Sequence, residues 1–152
     1  MPSPKPITVL LVDDDRADVK AVRRAFLSQK ITNSIVVAAN GFEALDCLRG
    51  TNGVEKLSRP YVILLDLNMP QMDGMEFLRE VRADPDLRSS IVFVLTTSDH
   101  ERDRDEAFEQ NVAGYILKSN VGVGFVDLMK MLDAYWTLVE IPVDTTPPTF
   151  GN

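Results

Sequence analysis

Arg59-Pro60-Tyr61-Val62-Ile63-Leu64-Leu65-Asp66-Leu67-Asn68-Met69-Pro70-Gln71-Met72-Asp73-Gly74 is the stretch that decides the fold. Residues 61–65 are apolar without alternation, the pattern of a strand covered on both faces, as in a parallel sheet. The run stops at a carboxylate, Asp66, which therefore stands at the carboxyl end of the strand, where open α/β sheets place their ligands. Taken alone, Asp66 reads equally well as a turn residue or as a nucleophile or metal ligand. The other strands decide between the two by what they bring to the same edge.

Outward from that stretch, apolar runs alternate with helical patterns, with no internal repeat. Ile7 to Val12 is an apolar run ending in Asp13-Asp14-Asp15, and Val19, Val22 and Phe26 then fall at helical spacing between charged residues. Ser34 to Ala39 is a short second strand. Asn40-Gly41-Phe42-Glu43 has the form of a helix cap with an acid three residues on, leading into Ala44, Leu45 and Leu48. A polar connection over 50–60, longer than usual, precedes the central strand. Asp73-Gly74-Met75-Glu76 repeats the cap before Phe77, Leu78 and Val81, and Pro85 closes that helix.

Ile91 to Leu95 is the fourth run and ends in Thr96-Thr97; Ser98-Asp99-His100-Glu101 opens an almost wholly charged helix. In that helix only Ala107, Phe108 and the following Val112 are expected to face inward. Ala113 to Leu117 ends in Lys118, and a long last helix carries Phe125, Leu128, Leu132, Trp136 and Val139. Five strands alternating with five helices, strand first, predict a doubly wound α/β domain around a five-stranded parallel sheet. The expected limits are an N-terminal extension over 1–6, one domain over 7–139 and a proline-containing tail over 140–152.

Four of the five runs finish on Asp13-Asp14, Asp66, Thr96 and Lys118, and in a parallel sheet all four emerge on one edge. Turn chemistry would need four separate accidents to explain that. Crowded carboxylates repel one another unless a cation joins them. A few hard oxygens with room for water suit Mg²⁺, with Asp14 and Asp66 expected as direct ligands and Asp13 acting through a water. Lys118 supplies a point charge and the Thr96 hydroxyl a donor for an anionic group. A metal, a nucleophilic carboxylate, an ammonium and a hydroxyl are the equipment for phosphoryl transfer to Asp66.

The segments Leu11-Val12-Asp13-Asp14-Asp15, Leu64-Leu65-Asp66-Leu67-Asn68-Met69-Pro70-Gln71-Met72-Asp73-Gly74, Val94-Leu95-Thr96-Thr97-Ser98 and Gly114-Tyr115-Ile116-Leu117-Lys118 together resemble the signature of a response-regulator receiver domain. The resemblance covers about residues 7–139. It implies a flavodoxin-like fold with strand order 2-1-3-4-5 and phosphorylation of Asp66 by a sensor histidine kinase. It further implies that the Asn68 backbone carbonyl completes the metal site. Thr96 and Tyr115 are implied as the switch pair, and Asn68 and Ser98 as positions that tune the phosphoryl lifetime. One departure is Ser119, where the family usually has proline. The long 50–60 connection, the Lys118-Ser119 pair and the end Trp136 to Pro142 are similar to single-domain regulators that serve phytochrome-type kinases, bacteriophytochromes included.

Composition narrows the alternatives. With 16 basic against 23 acidic residues the net charge is −7, which argues against a nucleic-acid backbone or an anionic membrane surface as partner. No apolar run approaches the roughly 20 residues of a membrane span, and Met1-Pro2-Ser3-Pro4-Lys5-Pro6 is no signal peptide. A cytoplasmic protein is the expectation. Cys47, the sole cysteine, reads as helix packing, and His100, the sole histidine, as exposed.

A haloacid-dehalogenase-type phosphatase would need threonine where Ala17 stands, and a calcium loop would need glycine at Asp18. The apolar arc of the last helix is wider than one face requires, since Met131, Tyr135 and Leu138 form a second stripe. Followed by Ile141, Val143 and Phe150, it predicts a two-fold homodimer through the last helix and tail. The expected function is a stand-alone, Mg²⁺-dependent phosphoacceptor that is not an enzyme on other substrates. A phosphorylation-independent receiver-like adaptor is the alternative, with a small Mg²⁺ phosphatase as a third option.

Overall fold

Tyr61–Asp66, the central run of the sequence, is β3 of a five-stranded sheet, and each of its six residues is buried. The other strands are β1 (Thr8–Val12), β2 (Ile35–Ala38), β4 (Ile91–Thr96) and β5 (Gly114–Leu117). Their order is β2-β1-β3-β4-β5, all neighbours parallel, so the strand order and doubly wound topology are those expected. Three helices complete the described elements: α1 (Arg16–Ser28), α2 (Gly41–Arg49) and α3 (Gly74–Ala83). The structure, a computed structural model, describes residues 7–28, 30–67, 72–96, 105, 108–117, 127 and 130, with Thr96 and Leu117 described by their backbone alone. Most of the expected fourth and fifth helices, with the tail and the dimer stripe, lies outside them. Asp105, Phe108, Glu109, Asp127 and Lys130 are helical.

The period of two along each strand sorts the core into two layers. Leu10 and Val12 of β1 join Ile63, Leu65, Val92 and Val94 beneath Leu45, Leu48, Phe77, Leu78 and Val81 of α2 and α3. Val9 and Leu11 face the other way, with Val62, Leu64, Phe93 and Leu95, onto Val22 and Phe26 of α1. Both faces are thus covered, which is why the strands carry unbroken apolar runs. Among the described residues no helix is long and apolar enough to cross a membrane.

The helix starts follow their sequence signals. The Asn40 side chain accepts a hydrogen bond from the Glu43 amide at 2.9 Å, and the Glu43 carboxylate accepts one from the Ala39 amide at 2.7 Å. Asp73 does the same for the Glu76 amide at 2.9 Å. Helix α3 ends at Ala83, two residues before Pro85. Cys47 is half-buried against the core, and burial first, then the charges of Glu43 and Asp46, push its thiol up from the ordinary value.

Phe108 departs from expectation: it is 46% exposed, while Val112 is 8% exposed and carries the inward contact. The helix gives out beside Phe108, whose carbonyl accepts the Asn111 amide at 3.0 Å, and Asn111 takes a left-handed φ of 59°. The chain turns there, so Val112 rather than Phe108 is carried onto the sheet.

At the sheet edge where the strands begin, one side chain holds three segments together. Arg82, in the last turn of α3, donates to the carbonyls of Gln110 (2.6 Å), Arg88 (2.7 Å), Ser90 (2.8 Å) and Asn111 (3.1 Å). The end of α3, the connection into β4 and the approach to β5 therefore share one cation. Replacing Arg82 with alanine leaves half-buried carbonyls without their donor and is expected to cost about 3 kcal/mol, given ~1.5–3 kcal/mol for a single hydrogen bond to a charged group. Urea unfolding checks it, and an unchanged midpoint would show the bridge to be without net value.

Nearby, the Asp86 amide first, and the Arg49 guanidinium after it, hold the Asp84 carboxyl below its ordinary value. A group depressed in the folded state stabilises above its unfolded pKa and loses that contribution as pH falls through the folded value. A carbon-detected titration of Asp84 is expected to show a midpoint below that of a free aspartate side chain.

Candidate functional site

Register brings the acids together. Val12 of β1 pairs with Leu65 of β3, so Asp13 and Asp66, the next residue of each, stand side by side at the carboxyl edge. Asp13 remains in the ladder, its amide donating to the Ala38 carbonyl at 3.0 Å. Its Oδ1 then accepts the Asp15 amide at 2.9 Å, and Asp15 Oδ1 accepts the Ala17 amide at 2.8 Å. These two short turns reverse the chain into α1. Asp13 is 1% exposed and Asp66 2%, and with Asp18 they form a group whose carboxylate oxygens lie within 4.8 Å of one another.

Asp18 is the member that sequence reasoning did not select. It lies in the first turn of α1, where an acid is ordinarily explained by the helix dipole. Helical Cβ atoms lean toward the N-terminus, so at this position the side chain is directed back at the strand ends. Asp14, expected to ligate directly, is exposed and stands outside the group. The donor set of three carboxylate oxygens, two of them from buried side chains, fits a small hard divalent cation.

The remaining expected residues are reached through backbone register. Asp66 pairs with Leu95, so Thr96 emerges one residue beyond it on β4. Thr96 in turn pairs with Leu117, the last described residue of β5; Lys118, Asn68, Ser98 and Ser119 lie outside the described residues. Tyr115 is half-buried and packed against the core layer of α2 and α3, while its neighbour Ile116 joins the layer of α1.

The far side of the site is built by α3. The Gly74 amide donates to the Leu67 carbonyl at 3.1 Å, seating the start of α3 on the end of β3. A Cβ at Gly74 would stand 2.4 Å from the Asp66 carbonyl oxygen and 2.5 Å from Leu67 Cα. Glycine is required here by close approach of backbone to backbone. Met72, just ahead of α3, takes a φ of 46° and lays its side chain over Gly41 of α2.

A flavodoxin-like sheet with a buried carboxylate at the end of its central strand, flanked by two further acids, defines an α/β protein with an acidic, cation-seeking rim. The family model for the response regulator receiver domain matches residues 9–132, and the chain belongs to that family. Response regulator Rcp1 of Synechocystis sp. is 36% identical over 134 residues, spanning 86% of this chain and 89% of its own length. Among solved structures, the phosphorylated cyanobacterial phytochrome response regulator RcpA superposes with a TM-score of 0.75 at 32% identity, covering 93% of this chain and all of the other. The Mn²⁺-bound form of Rcp1 gives a TM-score of 0.73 at 32% identity, over 92% of this chain and 100% of that one. The resemblance to phytochrome response regulators expected from the sequence is thus found among the solved structures.

Proposed function

We propose that this protein is a phosphoacceptor of a two-component pathway, taking a phosphoryl group onto Asp66 from a sensor histidine kinase of the phytochrome type. The reading is supported above all by one observation: Asp66, buried at the end of β3, stands beside Asp13 and within 4.8 Å of Asp18 through their carboxylate oxygens. Its relatives include a regulator solved in phosphorylated form and another solved with Mn²⁺.

Asp13, Asp18 and Asp66 would hold Mg²⁺, with Asp14 and the Asn68 carbonyl as the further ligands that the family resemblance implies. When bound, the ion supplies positive charge for the equatorial phosphoryl oxygens. An Asp66 carboxylate oxygen attacks phosphorus in line with the donor nitrogen. The O–P bond forms as the N–P bond of the phosphohistidine breaks, and the electron pair returns to the imidazole. Lys118 offsets charge on the transferred group, and the Thr96 hydroxyl donates to it.

The resulting preference for one state couples Thr96 to Tyr115 and so to a partner-binding surface. The protein acts in the cytoplasm and catalyses only its own phosphorylation and dephosphorylation. Its homodimer through the last helix and tail is tested by light scattering over a concentration series, where monomer throughout overturns it.

The phosphoacceptor reading is tested by incubation with a phytochrome-type kinase, Mg²⁺ and labelled ATP, alongside a small phosphodonor. Label on the protein that disappears when the metal is chelated is the expected result. No label from either donor would overturn the reading in favour of a phosphorylation-independent adaptor.

A further inference from the structure

A second concave site lies at the opposite end of the sheet. At ~3.3 Å per residue, the six residues of β3 put about 17 Å between this edge and Asp66. There a cavity of about 630 Å³ opens between the end of α2, the 50–60 connection and the turn from α3 into β4. That volume falls within the roughly 300–1,000 Å³ of small-molecule sites.

Its walls are built rather than incidental. The 50–60 connection, long for its kind, is tied down along its length: Thr51 Oγ1 donates to the Asp46 carboxylate at 2.6 Å and Asn52 Nδ2 at 2.9 Å. Further on, the Leu57 amide donates to the Cys47 carbonyl at 2.7 Å. Gly50 takes the left-handed φ of 71° that ends α2, and a Cβ there would meet Lys56 Cβ at 2.7 Å. The missing side chain is what lets the Lys56 stem lie against the helix end. A long connection fixed this firmly around a cavity is more than a spacer.

Charge at this cavity runs against the rest of the molecule. The chain carries −7, yet Arg49, Lys56 and Arg59 outnumber Asp84 and Asp86 around this one hollow. Arg49 is committed to Asp84 at 3.1 Å and Glu80 at 3.7 Å. Arg59 is steadied by donating Nη2 to the Asp86 carbonyl at 2.5 Å. Lys56 has no carboxylate partner among the described residues. A steadied guanidinium and an uncommitted ammonium lining one cavity are groups suited to a phosphate. The Asp86 carboxylate and the Ser89 hydroxyl, in the turn from α3 into β4, suit sugar hydroxyls, and Leu57, Leu87 and Pro85 add a small apolar lining.

We infer that this cavity binds a phosphorylated sugar-bearing metabolite, with the phosphate between Lys56 and Arg59 and the sugar hydroxyls on Asp86 and Ser89. The site is separate from the phosphoacceptor rim and does not depend on the reading of Asp66.

The test is a nitrogen–proton correlation titration of the full chain, without Mg²⁺, using AMP, ribose 5-phosphate, inorganic phosphate and adenosine to millimolar concentration. The two sugar phosphates are expected to shift the amides of Gly50, Lys56, Leu57 and Ser89, with adenosine and inorganic phosphate at least tenfold weaker. Lys56→Ala, at an exposed side chain, should weaken the sugar phosphates about tenfold, the loss of one charge-assisted contact, with unchanged thermal stability. The inference is overturned by shifts confined to the Asp13–Asp66 rim, by no shifts at all, by equal binding of inorganic phosphate or adenosine, or by a Lys56→Ala variant that binds as well as the parent.

Discussion

Asp66→Asn is expected to abolish phosphoryl uptake and, in the absence of metal, to raise stability rather than lower it. The amide keeps the volume of the carboxyl in a site that is 2% exposed, so packing is preserved. It has no anionic oxygen to attack phosphorus, so transfer stops at the chemical step. It also removes one of three charges whose oxygens lie within 4.8 Å of one another. Two such charges at that separation repel by a few kcal/mol at most for an effective dielectric of about 20, and screening at the open edge leaves a gain of roughly 1 kcal/mol. Asp18→Asn should show a similar gain, because Asp18 belongs to the same group. Both variants should lose much of the rise in melting temperature that Mg²⁺ gives the parent. Label on Asp66→Asn at the parent's rate would end the assignment, and a fall in its metal-free melting temperature would show that repulsion does not govern the cluster.

How far the sequence carried depended on whether a residue's role was set by its neighbours along the chain or across space. The strands were legible because burial on both faces leaves unbroken apolar runs, and their parallel order followed from the alternation with helices. The Asn40 and Asp73 caps were legible because a cap is a contact between residues three apart. Which of three consecutive acids is buried beside Asp66 was not. That depends on where the pleat of β1 ends, and the ladder bond from the Asp13 amide to Ala38 extends it by one residue. The turn made by Asp13 Oδ1 on the Asp15 amide then carries Asp14 to an exposed position. Asp18 was illegible for a related reason: an acid in a first helical turn already has a sufficient local explanation, and its part in the rim exists only once α1 is laid beside β3. Phe108 failed similarly, since helical spacing alone could not show that the helix ends beside it. The cavity at the opposite end of the sheet is the extreme case, because its walls come from segments that touch only after the fold has formed.

Gly74→Ala is expected to be the most damaging substitution of a single hydrogen for a methyl group in the described structure. The new Cβ would fall 2.4 Å from the Asp66 carbonyl oxygen and 2.5 Å from Leu67 Cα, both backbone atoms, with the Leu67 side chain at 3.0 Å. Flexible side chains can swing aside, as Met72 could before a methyl group on Gly41. A strand inside a five-stranded sheet cannot, because Asp66 is held by its register with Leu95. Helix α3 must therefore withdraw, and two costs follow. The hydrogen bond from the Gly74 amide to the Leu67 carbonyl lengthens beyond its 3.1 Å, and the contacts of Phe77, Leu78 and Val81 with the sheet loosen. Overpacking of this kind costs about 3 kcal/mol where neither wall can yield. Because the start of α3 packs directly on the Asp66 carbonyl, phosphoryl uptake should fall by more than tenfold even in the folded fraction. Denaturant unfolding and labelling rates on the same preparation separate the two effects. A variant as stable and as readily labelled as the parent would mean that the start of α3 does not hold Asp66 in place.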